Sequence, residues 1–157
     1  MKRLLSGGLA LLGVVVLPSE ISTRQVHPVT VADYRRDPRL DSLKKFFQKA
    51  ACPALRYASA FLEAADLYDL DWRLLPSISF VESGGGKAVQ NNNWFGWDSG
   101  RAHFRSAAAG IHEVGYQLSH SELYRDKDVD AILATYNSNS EYAAKVKSVM
   151  RQIAPSE

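Results

Sequence analysis

The run of three glycines from Gly84 to Gly86 is the feature that most restricts how this chain can fold. Glycine accepts left-handed backbone geometry at little steric cost, so a glycine run directly after a helical pattern predicts the end of that helix. The preceding pattern is helical because apolar residues recur at helical spacing, namely Leu74, Leu75, Ile78 and Val81. The sequence therefore predicts a helix that stops abruptly at the glycines.

The predicted helix has an ordinary beginning and an unusual end. Asp71 is expected to act as the N-cap, and Pro76 is tolerable because it falls near the helix start. Glu82 falls in the last turn, directly after Phe80 and Val81. The partial negative charge at a helix C-terminus disfavours an anion by roughly 0.3–1 kcal/mol. Partial burial against apolar neighbours disfavours it further, so we expect a raised pKa for Glu82.

A carboxylic acid with a raised pKa has a known chemical use. A glycosidase needs a carboxyl group that is still protonated near neutral pH, because that proton goes to the leaving oxygen. The alternative is that Glu82 is a solvated surface residue at the end of its helix. No metal or nucleotide motif accompanies it, since the four histidines lie apart and the glycine run ends a helix instead of opening one. We expect no metal and no cofactor.

Length and composition predict one globular domain. The 157 residues are enough for a single core, and 46% hydrophobic with 23% charged residues is typical of a folded chain. The net charge of +2 is too small to indicate a nucleic-acid partner. Cys52 is the only cysteine, so no internal disulfide can form and packing must hold the fold.

The N-terminus has the pattern of an export signal. Lys2 and Arg3 precede an apolar run at residues 4–17, which is shorter than the roughly 20 residues of a membrane span. No A-x-A cleavage motif follows, so an uncleaved membrane anchor is the alternative. We expect a signal peptide or anchor at 1–19, a proline-spaced tether at 20–40 and the domain at 41–157, with export to the bacterial cell envelope or periplasm.

The fold class predicted from these patterns is mainly α, or α+β by a strict definition, with five or six helices and one small β-hairpin. The hairpin is predicted between Asn91 and Phe104, where aromatic residues flank a short turn. The other helices are expected from Asp41, from Pro53 to about Tyr68, from Ser106, from Asp128, and after a capping-box pattern at Ser138–Glu141. The last helix is expected to have an apolar stripe, formed by Tyr142, Val146, Val149 and Ile153 at helical spacing.

Three motifs in order resemble a known family. The helix that ends in Glu82-Ser83 looks like the catalytic helix of lysozyme-like peptidoglycan hydrolases, which include lytic transglycosylases and bacterial β-N-acetylglucosaminidases. The run Asn93-Trp94-Phe95-Gly96 is similar to the Asn-x-Phe-Gly signature of the glucosaminidase branch, and Tyr136-Asn137 resembles a late Tyr-Asn pair of the transglycosylases. The resemblance covers about residues 53 to 154. It implies a lysozyme-like fold.

The resemblance implies roles for particular residues. Glu82 corresponds to the general acid that cleaves β-1,4 bonds between the N-acetylated amino sugars of peptidoglycan glycan strands. The implied substrate-binding residues are Ser83, Asn93, Trp94, Trp97, Tyr136 and Asn137. Trp94 and Trp97 lie three apart, which puts them on opposite faces of a strand, so one of them is expected in the core. Tyr136 can equally be a core aromatic of its own helix.

Two departures from the family pattern leave the reaction open. A Gly-Leu-Met-Gln-like run is missing after the acid, and no glycine follows the Tyr-Asn pair closely. Hydrolysis by two acids needs a second carboxylate, for which Asp98, Glu113 and Glu122 are candidates. Otherwise the acetamide or 6-hydroxyl of the substrate completes the step. The alternative function is a non-catalytic peptidoglycan-binding or scaffolding domain with a degenerate cleft.

Overall fold

The computed structural model describes residues 33–155, which are mainly helical. Six α-helices follow in order: α1 (Pro38–Lys49), α2 (Ala58–Leu67), α3 (Leu74–Ser83), α4 (Ala107–His120), α5 (Val129–Tyr136) and α6 (Ser140–Ile153). None of the helices within residues 33–155 is long and apolar enough to cross a bilayer. The signal peptide or anchor predicted at 1–19 and most of the tether predicted at 20–40 lie outside the described residues.

Helix α3 is the centre of the domain. Its residues from Leu74 to Ser79 are all buried, as expected of a helix that is surrounded by others. It packs mainly against α6, while α2 packs mainly against α4. The buried apolar stripe predicted on α6 is confirmed and provides much of this contact, through Tyr142, Val146, Val149 and Ile153. Glu82 is therefore carried on the most enclosed element of the fold.

The predicted helix starts are confirmed for α4 and α5 and need correction for the other four helices. Ser106 and Asp128 cap α4 and α5 as predicted, because their side chains accept hydrogen bonds from the third residue along. The capping box predicted at Ser138 is wrong. Asn139 is the cap of α6, and its side chain accepts from the backbone N–H of Glu141 at 2.9 Å.

The second correction concerns the helix predicted from Pro53. That segment begins as a 3₁₀ helix over Pro53–Tyr57, and α2 starts only at Ala58. The prediction that Asp71 caps α3 is wrong, because Arg73 is the N-cap residue and has no side-chain cap bond. Asp71 lies two residues earlier and accepts from the backbone N–H of Arg73 at 2.9 Å. The helix predicted from Asp41 begins three residues earlier, at Pro38.

The β-hairpin predicted between Asn91 and Phe104 is not formed, and no strand occurs anywhere in residues 33–155. The backbone has positive φ at six positions of this segment, which extended strands do not allow: Asn91, Asn92, Gly96, Asp98, Ser99 and Gly100. Consecutive turns replace the strands, and Phe104 closes the segment by donating its N–H to the carbonyl of Asn91. We call residues 91–104 the tryptophan loop.

Two left-handed glycines allow a test of how tightly the tryptophan loop is packed. A methyl group on Gly86 would lie 2.8 Å from the ring of Trp94, whereas one on Gly100 would meet nothing within 4 Å. Both substitutions to alanine carry the left-handed strain of roughly 1–2 kcal/mol. Gly86→Ala should add roughly 1–3 kcal/mol of overpacking. Urea unfolding of both variants checks this, and equal losses would mean that the Trp94 contact is loose.

Candidate active site

Helix α3 ends at the glycines as predicted. Gly84 is the C-cap in left-handed geometry (φ 63°), and its N–H donates to the carbonyl of Phe80 at 2.9 Å. Gly85, also left-handed, donates to the carbonyl of Ser79 at 3.2 Å. These two bonds satisfy carbonyls that a helix end otherwise leaves free. They also fix Glu82 in the last turn, with its side chain at the edge of the domain core.

Ser83 ties the end of α3 to the tryptophan loop. Its buried hydroxyl donates towards the carbonyls of Ser79 and Trp94, both at 2.9 Å, and accepts from the N–H of Gly86 at 3.1 Å. The hydroxyl has one proton, so the two carbonyls share it. Ser83 was predicted to bind substrate, but its side chain is buried and already engaged. Its role in this structure is to hold the loop beside Glu82.

Asn93 and Trp94 are also structural in this arrangement. The Asn93 amide donates to the carbonyl of Trp97 and accepts from the N–H of the same residue, both at 2.9 Å. Trp94 is buried and meets Tyr57 edge to face at 5.1 Å. Both were predicted as substrate-binding residues, and both side chains are largely buried. The prediction that one of the two tryptophans belongs to the core is confirmed by Trp94.

The Glu82 carboxyl group lies against the loop backbone. A methyl group on Gly96 would be 2.7 Å from Oε2 of Glu82, so a side chain at this position would displace the carboxyl group. Gly96 is also left-handed (φ 61°), a geometry that glycine adopts most readily. The hydroxyl of Tyr142 also lies near this carboxyl group; it is buried and has no partner that meets full hydrogen-bond geometry.

Burial raises the pKa of Glu82 above its ordinary value, as the sequence predicted. The Tyr142 hydroxyl opposes this effect, because it lies close enough for its proton to favour the carboxylate anion. Burial raises the pKa of Tyr142, and the nearby Glu82 carboxylate raises it further, so Tyr142 remains a neutral donor. Glu82 as a whole remains exposed. Its carboxyl group is therefore partly enclosed by protein and still open to a ligand.

The opening in front of this carboxyl group is a cleft of about 310 Å³. We call it the Glu82 cleft; it is lined by Val81, Glu82, Asn137, Asn139, Tyr142 and Lys145. Asn137 accepts from the N–H of Asn139 at 3.0 Å through its side-chain oxygen. The cleft thus combines one acid, uncharged polar groups and a single cation, Lys145.

Tyr136 lies behind the cleft. Its hydroxyl donates to the carbonyl of Phe95, and its ring stacks on Tyr142 with the planes 4° apart. Burial raises its pKa well above the ordinary value. It also packs against Trp97, at 5.7 Å between ring centroids. Of the two interpretations that the sequence left open, the structure favours a packing residue, although part of its surface remains exposed.

A second cavity of about 410 Å³ continues the surface beyond Gly96. Trp97 is partly exposed there, as a residue that stacks on a sugar must be. Its neighbours in this cavity are Gly96, Asp98, Ser99, Leu123, Tyr124 and Tyr136. Trp97 also lines a larger cavity of about 790 Å³ beside α4, so one aromatic ring faces two adjoining openings.

The three candidates for a second carboxylate lie outside the Glu82 cleft. Asp98 is exposed and pairs with Arg101 at 2.6 Å. Glu113 is on α4, where it accepts from Gln117 at 2.9 Å, and Glu122 is exposed beyond the end of α4. Within residues 33–155, Glu82 is the only acidic residue that lines this cleft, and no cluster of His, Cys, Asp or Glu could hold a metal ion.

Sequence reasoning missed three residues of the site. Tyr142 was assigned to the core stripe of α6, and it is buried there, but its hydroxyl points to Glu82. Asn139 and Lys145 were not singled out. Asn139 and Lys145 could have been found from their position at the start of the helix that follows the Tyr136-Asn137 pair, since that helix packs against α3.

No protein-family model, no curated protein and no solved structure matches this chain.

The hydrogen bonds of Ser83 predict a large effect on stability and a simple control. Ser83→Ala leaves the carbonyl of Trp94 and the N–H of Gly86 without their partner, which should cost roughly 1–3 kcal/mol of unfolding free energy. Ser77→Ala removes a buried hydroxyl that has no partner, so it should cost nothing or stabilise the protein slightly. Thermal and urea unfolding measure both, and similar losses would contradict the role assigned to Ser83.

The electrostatics of the cleft predict the direction of a pKa change. In wild type, Glu82 should titrate above the ordinary range for glutamate, because burial disfavours its anion. Tyr142→Phe removes the group that favours the anion, so the pKa of Glu82 should rise further. Carboxyl ¹³C NMR across a pH series measures both values. Tyr124→Phe is the control, since that tyrosine has no part in the pKa shift of Glu82; an unchanged Glu82 pKa in Tyr142→Phe would refute the contact.

Proposed function

We propose that this protein is an exported glycosidase that cleaves β-1,4 bonds between the N-acetylated amino sugars of peptidoglycan, with Glu82 as the general acid. The observation that carries the proposal is the state of the Glu82 carboxyl group. It has a raised pKa, it lies close to Gly96 and to the hydroxyl of Tyr142, and it lines a cleft that also contains amide groups. A general acid works best when its pKa lies near the working pH.

The proposed reaction begins with the proton of Glu82. The glycosidic oxygen accepts that proton while its bond to the sugar C1 breaks, so the leaving sugar departs as a neutral alcohol. The side-chain amide of Asn137, which lines the cleft, is a suitable donor to the N-acetyl carbonyl of a bound sugar. Trp97 is partly exposed in the cavity that Gly96 also lines, and a neighbouring sugar could stack there.

The composition of the cleft favours a mechanism with one protein acid. Glu82 is the only carboxylate that lines it within the described residues. Attack at C1 then comes from the substrate: its 6-hydroxyl oxygen bonds to C1 and passes its proton to the Glu82 carboxylate, which restores the acid. The sum is an intramolecular transfer with no water consumed, and the product has a 1,6-anhydro end.

The arrangement of the helices also supports the proposal. A central helix that ends at the acid, with other helices packed around it, is the arrangement expected of the lysozyme-like family that the motifs resemble. The tryptophan loop would take the place of the hairpin. Peptidoglycan as substrate also agrees with export, which the basic and apolar pattern at residues 1–17 predicts.

A second candidate function is a non-catalytic peptidoglycan-binding or scaffolding domain. The same observation favours it, because a cleft with a single carboxylate lacks the second group that direct hydrolysis by two acids requires. Both candidates bind the same glycan strands, and only turnover separates them.

The test is digestion of purified peptidoglycan by the wild-type protein and by Glu82→Gln. Wild type should release soluble muropeptides with anhydro ends, and Glu82→Gln should lose at least roughly a hundredfold of this activity, the usual contribution of general acid catalysis. Glu113→Gln is the matched control, since that side chain lies on α4 outside the cleft. Mass spectrometry of the product ends separates transfer from hydrolysis by water.

The pH profile gives an independent readout of the acid. Because the proton on Glu82 is required, activity should fall as the pH rises through the pKa of Glu82, and Tyr142→Phe should move this fall to higher pH. No release of muropeptides by wild type, together with binding to insoluble peptidoglycan that survives Glu82→Gln, would reject the glycosidase and support the binding domain.

A further inference from the structure

A groove of about 550 Å³ lies between the C-terminal ends of α1 and α6, and the proposed active site uses none of its residues. Its floor is apolar, since the rings of Phe46 and Phe80 meet edge to face at 5.0 Å. We call it the phenylalanine groove; the rest of its lining is Ser42, Lys45, Lys49, Ala50, Gln152 and Ile153.

The charge of the groove has one sign. Lys45 and Lys49 are exposed and line it, no carboxylate does, and neither lysine forms a salt bridge within residues 33–155. This differs from Arg39 and Lys147, each of which pairs with an aspartate. Lys87 adds a third cation at the rim, where its ammonium donates to the carbonyl of Ala50 at 2.7 Å. Uncompensated positive charge therefore surrounds an apolar floor.

We propose that the phenylalanine groove binds an anionic phospholipid of a membrane surface. A ligand that satisfies both parts of the groove must be apolar at one end and negative at the other. The acyl region of such a lipid would lie on Phe46 and Phe80, and its phosphate would lie between Lys45 and Lys49. Lysines near an anionic bilayer are attracted to it, while their alkyl stems remain in apolar contact.

A lipid is a better occupant of the phenylalanine groove than the N-terminal segment of the same chain. Lys2 and Arg3 begin the apolar run and carry the same sign as the groove, so they would be repelled from it. Helix α1 is the first α-helix of the described domain, and the residues from 18 to 37 can span at most roughly 70 Å. The groove is thus within reach of a membrane that holds residues 4–17.

The binding adds a second membrane contact that does not depend on insertion of the apolar run. Helix α3 contributes Phe80 to the groove and Val81 and Glu82 to the cleft, and the two surfaces share no lining residue. A lipid in the groove therefore leaves the Glu82 cleft open. Lipid binding in the phenylalanine groove does not depend on the proposed glycosidase activity.

Chemical footprinting of lysines in the full chain tests the proposal. The protein is reconstituted into vesicles of phosphatidylcholine alone, or of phosphatidylcholine and phosphatidylglycerol in equal parts, and its amines are acylated with a water-soluble reagent. The apolar run can insert into both membranes, so its effect cancels. Lys45, Lys49 and Lys87 should react several-fold more slowly in the anionic vesicles. Lys127, which bonds to Thr135 elsewhere on the surface, should react equally in both.

A double variant separates the groove from general attraction to charge. In Lys45→Glu with Lys49→Glu, the remaining reporter Lys87 should lose its protection, because removing two cations weakens attraction to the anionic surface by roughly tenfold or more. Arg125→Glu with Lys127→Glu makes the same change in net charge on exposed residues away from the groove and should keep Lys87 protected. Circular dichroism confirms that both variants are folded.

Three results would overturn the proposal. Equal reactivity of Lys45 and Lys49 in the two kinds of vesicle would exclude a lipid in the groove. Equal protection of every lysine, Lys127 included, would mean nonspecific adsorption. Protection of the groove lysines by soluble polyphosphate in phosphatidylcholine vesicles, to the same degree as by phosphatidylglycerol, would assign the groove to anionic polymers and not to lipid.

Discussion

The hydroxyl of Ser83 is the contact on which the rest of the site depends. It joins the last turn of α3 to the tryptophan loop through the carbonyl of Trp94, and to the glycine turn through the N–H of Gly86. These bonds are buried, so water cannot replace them cheaply. Because Ser83 is fixed, Glu82 beside it is fixed too, and Gly96 of the loop closes against its carboxyl group. One buried hydroxyl thus positions an acid that it does not touch.

The same region carries features that lower stability. The three glycines that end α3 all have positive φ, Ser77 and Ser79 bury hydroxyl groups without partners, and Glu82 has its anion disfavoured by burial. Unfavourable local geometry that the surroundings hold in place is common at functional sites, where it sets the position and pKa of a reactive group. The packing of α3 against α6 supplies the stability that offsets these costs.

Helix α3 also separates two surfaces of different chemistry. Its last turn presents Phe80 to a groove with uncompensated lysines, and Glu82 to a cleft with amides and one cation. Side chains of residues close in sequence point in different directions around a helix, so Phe80 and Glu82 can contact two different ligands. A membrane lipid on one side and a glycan on the other would place the domain at the boundary between bilayer and cell wall.

The sequence by itself determined the helices and the left-handed stop at Gly84, because hydrophobic period and glycine geometry are local properties. The burial that raises the pKa of Glu82 comes from tertiary packing, although the sequence predicted the direction of this shift. It predicted neither the turns that replace the hairpin nor the burial of Asn93 and Trp94. Those follow from contacts between distant segments, as when Trp94 fills the space beside Tyr57. Tyr142 makes the same point. Its spacing predicted a core residue, and only the packing of α6 against α3 brought its hydroxyl to the acid, since no local pattern encodes which residue two helices place opposite each other.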